Sequence, residues 1–210
     1  MIDSTPSAQQ TDITRLPDGR QLILASSSPY RRELLARLDL PFIARSPQVD
    51  ETALPDESAL VLTERLARAK AQAVASLHPH SLVIGSDQVA LLDQQILGKP
   101  GDHTKAVQQL RAAAGKAVTF YTGLCLLDSD SGRIQSAVIP FKVWFRDLTD
   151  SLIERYLRRE TPYQCAGSFK SEGLGIALFR RLEGDDPNAL IGLPLIKLVD
   201  MLTQENINIP

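Results

Sequence analysis

The chain has 210 residues, 43% of them hydrophobic and 23% charged, which suffices for one sizeable domain and is ordinary for a globular protein. Its 23 Lys and Arg against 25 Asp and Glu leave a net charge of -2; this excludes a global field that would gather nucleic acid, so any phosphate recognition is local. No apolar run reaches membrane-spanning length and the first twenty residues lack the apolar core of a signal peptide, so a cytoplasmic enzyme or regulator with no membrane partner is expected.

Residues 1–20 are polar and contain Pro6 and Pro17; they are expected to form a flexible extension ahead of a single domain over 21–210. Leu22-Ile23-Leu24-Ala25 predicts a short buried strand that ends in Ser26-Ser27-Ser28-Pro29. Ser28 then Pro29 is an N-cap and first-turn pair, predicting a helix from Pro29 through Leu38. A strand, a serine-rich turn and a helix start carrying Arg31 and Arg32 make an anion cradle.

Val49-Asp50-Glu51-Thr52 falls in a loop between Pro47 and Pro55. From Ser58 to Leu77 the spacing of Leu62, Leu66, Ala69 and Ala73 predicts a helix with one apolar stripe, and Lys70 lies next to that stripe. Leu82-Val83-Ile84-Gly85-Ser86-Asp87-Gln88 reads as a buried strand running into an acidic side chain. An Asp at the carboxyl end of a sheet strand faces the ligand crevice of an open α/β sheet, where it can hold a metal or a water. Asp93 to Gln95 predicts a turn, and Ile96-Leu97 a short strand leading to the Gly98-Lys99-Pro100 corner.

Thr104 to Ala114 is helical by composition and stops at Gly115. Ala117–Leu127 and Ile134–Arg146, split by Asp128-Ser129-Asp130-Ser131-Gly132, form the clearest hairpin. Thr149 caps a helix to about Arg159, after which Cys165 to Gly175 is glycine-punctuated and polar. Ile176 to Phe179 predicts a strand, residues 184–188 a loop, and Pro194 to Leu202 the last helix. Cys125 and Cys165 lack metal-ligand or redox spacing and read as small buried thiols.

The turns after strands therefore supply Ser26, Arg31, Glu51, Asp87, Lys99, Lys170 and Glu172, and the long helix adds Lys70. Cations that hold phosphates, with acids that hold a metal and activate water, are what attack on a nucleoside triphosphate needs. Taken singly, each residue has a bland reading: a strand-terminal Asp often forms a turn, and a lysine before proline is often solvated.

Leu-Ala-Ser-x-Ser-Pro-x-Arg-Arg, Asp-Glu-Thr, Ala-x-Ala-Lys-Ala, Gly-Ser-Asp-Gln-Val and Gly-Lys-Pro, in this order, resemble the Maf family over nearly the whole chain after residue 20. Maf proteins are nucleoside triphosphate pyrophosphatases, which cut between the α and β phosphates. The resemblance implies an α/β fold, a mixed twisted sheet with flanking helices and two lobes around a central cleft. It also implies a homodimer, a divalent cation (magnesium or manganese) and a small-molecule nucleotide as partner. It makes Asp87 the proton acceptor and, with Glu51, a metal ligand. Lys70 and Lys99 become catalytic cations, and Ser26, Arg31 and Lys170 phosphate contacts.

Gly-Ser-Asp-Gln-Val, Cys-Ala-Gly-Ser-Phe-Lys-Ser-Glu-Gly and Leu-Glu-Gly-x-Asp-Pro-Asn look like the YceF branch of the family, which acts on 7-methyl-GTP. Tyr30, Gln88 and Glu172 stand where the branch acting on dTTP and UTP differs, so they are expected to choose the base. Methylation at N7 leaves a positive charge on the purine, which favours an aromatic face at Tyr30 and a carboxylate at Glu172. Two alternatives stand beside this reading: a pyrophosphatase preferring pyrimidines or many nucleotides, and a nucleotide-binding regulator of division. Neighbouring side chains of a strand face opposite ways, so Asp87 and Gln88 can share a site only where the strand ends and turns.

Overall fold

The computed structural model describes residues 15–209. In chain order the elements are β1 (Gln21–Ala25), α1 (Pro29–Ala36), β2 (Ile43–Arg45), α2 (Ala59–Ala75), β3 (Ser81–Leu92), β4 (Gln95–Leu97) and α3 (His103–Ala113). There follow β5 (Ala117–Asp128), β6 (Ile134–Phe145), α4 (Asp150–Glu160), β7 (Phe179–Glu183), α5 (Pro187–Ile191) and α6 (Leu195–Gln204). One mixed sheet runs β2-β1-β3-β5-β6-β7, with β4 added to the far end of β3. β1 is parallel to β2 and β3, and every other pairing is antiparallel.

Alternation along the strands feeds two cores on opposite faces. Leu22, Leu24, Leu82, Ile84, Leu124 and Leu126 pack on Leu34 and Leu35 of α1 and on Leu198, Met201 and Leu202 of α6. Ile23, Ala25, Val83 and Cys125 face the other way, onto Ala67, Ala71 and Val74 of α2. Burial on both faces explains why the first half of β3 reads as a continuous apolar run. Its second half enters a third core, where Ala90 and Leu92 join α3, α4, Phe120, Phe145 and Phe179. β3, β5 and β6 thus span two lobes, whereas β1 and β2 belong to one.

This corrects the expected position of Asp87. β3 does not end there; it stays paired with β5 from Leu82↔Asp128 to Leu91↔Thr119, and Asp87 lies opposite Gly123. The strand that ends is β1, whose last pairing is Ala25↔Gly85. Between Gly85 and Ala90, where β4 begins to pair, one edge of β3 is open, so the crevice rule applies to β1, and the crevice exposes the middle of its neighbour.

Two glycines set how α2 lies on this sheet. A Cβ on Gly85 would stand 2.1 Å from Ala67 O, and one on Gly123 would stand 2.4 Å from Thr63 O. With no side chain at either point, the α2 backbone rests on β3 and β5 and carries Lys70 to Asp87. Gly85→Ala is therefore expected to lift the helix, destabilise the fold by about 3 kcal/mol and cut activity with it. Thermal unfolding followed by circular dichroism checks this, and an unchanged melting temperature would contradict it.

Three expectations change near the chain ends. The predicted strand Ile176–Phe179 is a 3₁₀ turn over Leu174–Leu178 followed by β7, because β7 is an edge strand whose Arg180, Arg181 and Glu183 hide it from an apolar pattern. The predicted loop 184–188 begins α5: Asp186 caps it by accepting from the Asn188 N–H, and Pro187 fills its first turn. Of the expected extension, residues 1–14 lie outside the described residues. Residues 15–20 form a turn that buries Leu16 and ties Arg20 to Asp128 and Glu205.

Candidate active site

A cleft of about 880 Å³ opens where β1 stops, walled by the β1–α1 turn, the loop before α2, β3, the corner after β4 and the segments around Cys165 and Leu190. At its floor lies Lys70, 6% exposed. Its Nζ donates to Asp87 Oδ1 at 2.6 Å and pairs with Glu51 Oε1 at 2.6 Å. An ammonium this buried needs such partners, since desolvation otherwise costs several kcal/mol. Burial acts to raise the Glu51 pKa, but the Lys70 hydrogen bond and the charges of Lys70, Lys99 and Arg31 win and hold it below the ordinary carboxylate value.

The β1–α1 turn folds as its sequence predicts. Ser28 caps α1 through the Arg31 N–H, and Ser26 Oγ accepts from the Ser28 N–H at 3.1 Å. Arg31 is pinned by Nε donating to Gly192 O at 2.8 Å, with Nη1 3.5 Å from Ser26 Oγ. Burial lowers its pKa while Asp87 and Glu51 oppose this, and the guanidinium stays charged in any case. Lys99 is exposed on the opposite wall.

Tyr30 lines the cleft from α1 beside Cys165; burial first, then the neighbouring Cys165 and the negative charge of Glu172, raises its pKa. Glu172 lines the same region and is exposed. Asp87 and Gln88 do point to opposite faces: Asp87 meets α2, and Gln88 meets the carbonyls of Ala189 and Leu190 in α5. Both nonetheless line the cleft, since its walls wrap around the open edge of β3. No strand end is required.

The structure does not bring Lys170 to the cleft. Its Nζ donates to Glu160 O at 2.9 Å and lies 4.0 Å from Glu160 Oε2, at the end of α4. Sequence reasoning missed three residues that shape the walls. Ser86 Oγ donates to Gly192 O at 2.9 Å, Thr122 Oγ1 donates to Ala189 O at 2.8 Å, and Cys165 lies beside Tyr30 in the cleft lining. A hydroxyl in an otherwise apolar run was the available signal for Ser86; nothing in the sequence marks the roles of Thr122 and Cys165.

Arg31, Lys70 and Lys99 face Glu51, Asp87 and Glu172 across the cleft, so its formal charges balance. Among the described residues no group of three or more His, Cys, Asp or Glu gathers to cage a metal. Glu51 and Asp87, both paired with Lys70, are instead oxygen donors of the kind a divalent cation takes while completing its shell with phosphate and water. The donor set fits such an ion.

A mixed sheet, two lobes and a charged cleft beside the end of parallel strands define the class of an α/β protein with its candidate site between the lobes. More narrowly, the chain belongs to the Maf family: residues 21–205 match the family model described as Maf-like protein. It is 59% identical over 189 residues to a 7-methyl-GTP pyrophosphatase of Pseudomonas syringae pv. syringae, covering 90% of this chain and 98% of the relative. Proteins of the same name from Nitrosococcus oceani (62% identical, 87% of this chain, 92% of the relative) and Pseudomonas aeruginosa (60%, 93% and 100%) are similar to it as well. Among the described residues no helix is long and apolar enough to cross a membrane.

Proposed function

We propose that this protein is a nucleoside triphosphate pyrophosphatase that converts 7-methyl-GTP to 7-methyl-GMP and pyrophosphate. The observation that carries the reading is the buried Lys70 ammonium 2.6 Å from both Asp87 and Glu51 at the floor of the cleft, a base and a metal-ready pair held by one cation. The names of relatives matched over nearly their full length support the choice of nucleotide.

Asp87 takes the proton of the attacking water. One of its oxygens accepts from Lys70, which holds the carboxylate in place, and the second remains to receive that proton. Ser26, Arg31 and Lys99 bind the phosphates and neutralise charge that builds on their oxygens. Lys170 is left out of this set because its ammonium is engaged by Glu160. Glu51 and Asp87 would hold a magnesium or manganese ion, which would supply the positive charge that a balanced cleft lacks for a triphosphate. Homodimer assembly, which the family resemblance implies, and a cytoplasmic location, expected from the composition, belong to the same proposal.

Tyr30, Gln88 and Glu172 choose the base. Stacking of the methylated, positively charged purine on Tyr30 adds roughly 0.5 to 2 kcal/mol of cation–π attraction. Glu172 accepts from the guanine N1–H and exocyclic amine, and its charge favours the cation. Glu172→Gln is therefore expected to lower kcat/KM about tenfold more for 7-methyl-GTP than for UTP; equal losses would remove Glu172 from base recognition. The test of the whole reading is a nucleotide panel with pyrophosphate detection, run with and without magnesium. 7-methyl-GTP is expected to lead it, and a lead by UTP or dTTP would overturn the assignment.

A further inference from the structure

Gln88 and Thr122 are direct cross-strand neighbours on β3 and β5, and their side chains meet on the face turned to α5. Gln88 Nε2 lies 2.9 Å from Thr122 Oγ1, 2.8 Å from Ala189 O and 3.0 Å from Leu190 O. Thr122 Oγ1 spends its single hydrogen on Ala189 O at 2.8 Å, so toward Gln88 it can only accept. All three groups around this end of the amide are acceptors. The atom they surround must then be the nitrogen, since an oxygen there would face two carbonyls and a lone pair with no hydrogen between them. The amide carbonyl is consequently turned the other way. No buried polar side-chain atom among the described residues lacks a partner, so Gln88 Oε1 is open to the cleft that Gln88 lines.

We propose that Thr122 is a specificity-positioning residue: with the α5 carbonyls it locks the Gln88 amide so that Gln88 offers the base an acceptor and never a donor. This rests on the reading of the cleft as a guanine site. The inward faces of Gln88 and Glu172 then both accept, which suits a base edge with two adjacent donors, as in guanine N1–H and N2–H. Uracil presents one donor between two carbonyls, and adenine presents a ring nitrogen acceptor beside its amine; each sets an acceptor against an acceptor. Thr122 is 0% exposed and touches no ligand, so its effect passes through Gln88. The lock also explains why a residue on the face away from Asp87 can contribute to the same cleft.

The test combines kinetics with a direct view of the amide. In ¹⁵N-labelled protein the Gln88 side-chain signals, assigned by their loss in Gln88→Glu, are expected to exchange slowly with water. Thr122→Val, close in shape but unable to accept, is expected to speed that exchange and to raise KM for 7-methyl-GTP about tenfold, well beyond its change for UTP and beyond any fall in kcat. Thr122→Ser, which keeps the hydroxyl, is expected to restore both. Gln88 signals that do not respond to Thr122→Val, or a KM that rises equally for both nucleotides, would overturn the proposal. If the wild type turns over UTP and not 7-methyl-GTP, the functional reading fails, while the exchange of the Gln88 amide still decides whether Thr122 holds it.

Discussion

Asp87→Asn is expected to lower kcat for pyrophosphate release by about 10³-fold, within the range a positioned general base contributes. The substitution keeps the shape of the side chain and an oxygen that can accept from Lys70, and Glu51 still pairs with the ammonium, so β3 and α2 keep their packing and the melting temperature falls less than in a variant that removes Lys70. What is lost is the proton acceptor, and with it one of the two carboxylates proposed to hold the metal. Steady-state kinetics beside circular dichroism separate these from a folding defect. Turnover comparable to the wild type in a folded Asp87→Asn protein would remove the residue from its proposed role.

Lys70→Met is the second large effect, and it acts on stability as well as on rate. Lys70 is 6% exposed and bridges Glu51 and Asp87, so its removal leaves two carboxylates facing one another without the cation between them. Breaking a buried pair from one side costs about 3 kcal/mol, and kcat is expected to fall by about 10²-fold through loss of the group that holds Asp87. The pH dependence follows from Glu51. Its pKa in the folded protein is depressed against burial by the Lys70 bond, so its contribution to stability is present above its ordinary value and lost as pH falls through the folded one. Without Lys70 the depression shrinks, and the acid limb of the pH–rate profile moves to higher pH. A profile that keeps its acid limb in Lys70→Met would show that the cation does not govern Glu51.

Much of the frame was legible because it is local. Ser28-Pro29, Ser58 and Thr149 start helices where capping chemistry places them, and the turn after Asp128 closes the expected hairpin. Asp87 was legible as a residue and misplaced in its strand. The polar pair Asp87-Gln88 looks like the end of a buried run, yet β5 continues to pair there and only β1 has stopped, which no local pattern in β3 reveals. β7 and α5 were missed for different reasons. β7 is charged along its edge, whereas α5 is only five residues long and its Asp186-Pro187 cap has the composition of a turn.

The candidate site divides the same way. Ser26, Arg31, Glu51, Lys70, Asp87 and Lys99 lie on turns or faces that sequence order can identify, and the fold gathers all six around one cleft. Lys170 looked equivalent, but α4 ends beside it, and Glu160 takes its ammonium. Thr122 carried no signal of its role because that role depends on its register partner Gln88 and on α5 arriving from far along the chain. Side chains that act alone could be read from motifs; those that act through a neighbour needed the sheet.

The central claim is that this cleft cleaves the α–β bond of 7-methyl-GTP with Asp87 as the base. Anion-exchange separation of the products from 7-methyl-GTP and magnesium, run in parallel for the wild type and Asp87→Asn, tests it most directly. The account predicts equal amounts of 7-methyl-GMP and pyrophosphate from the wild type and almost none from the variant; 7-methyl-GDP with orthophosphate, intact triphosphate from the wild type, or equal yields from both proteins would contradict it.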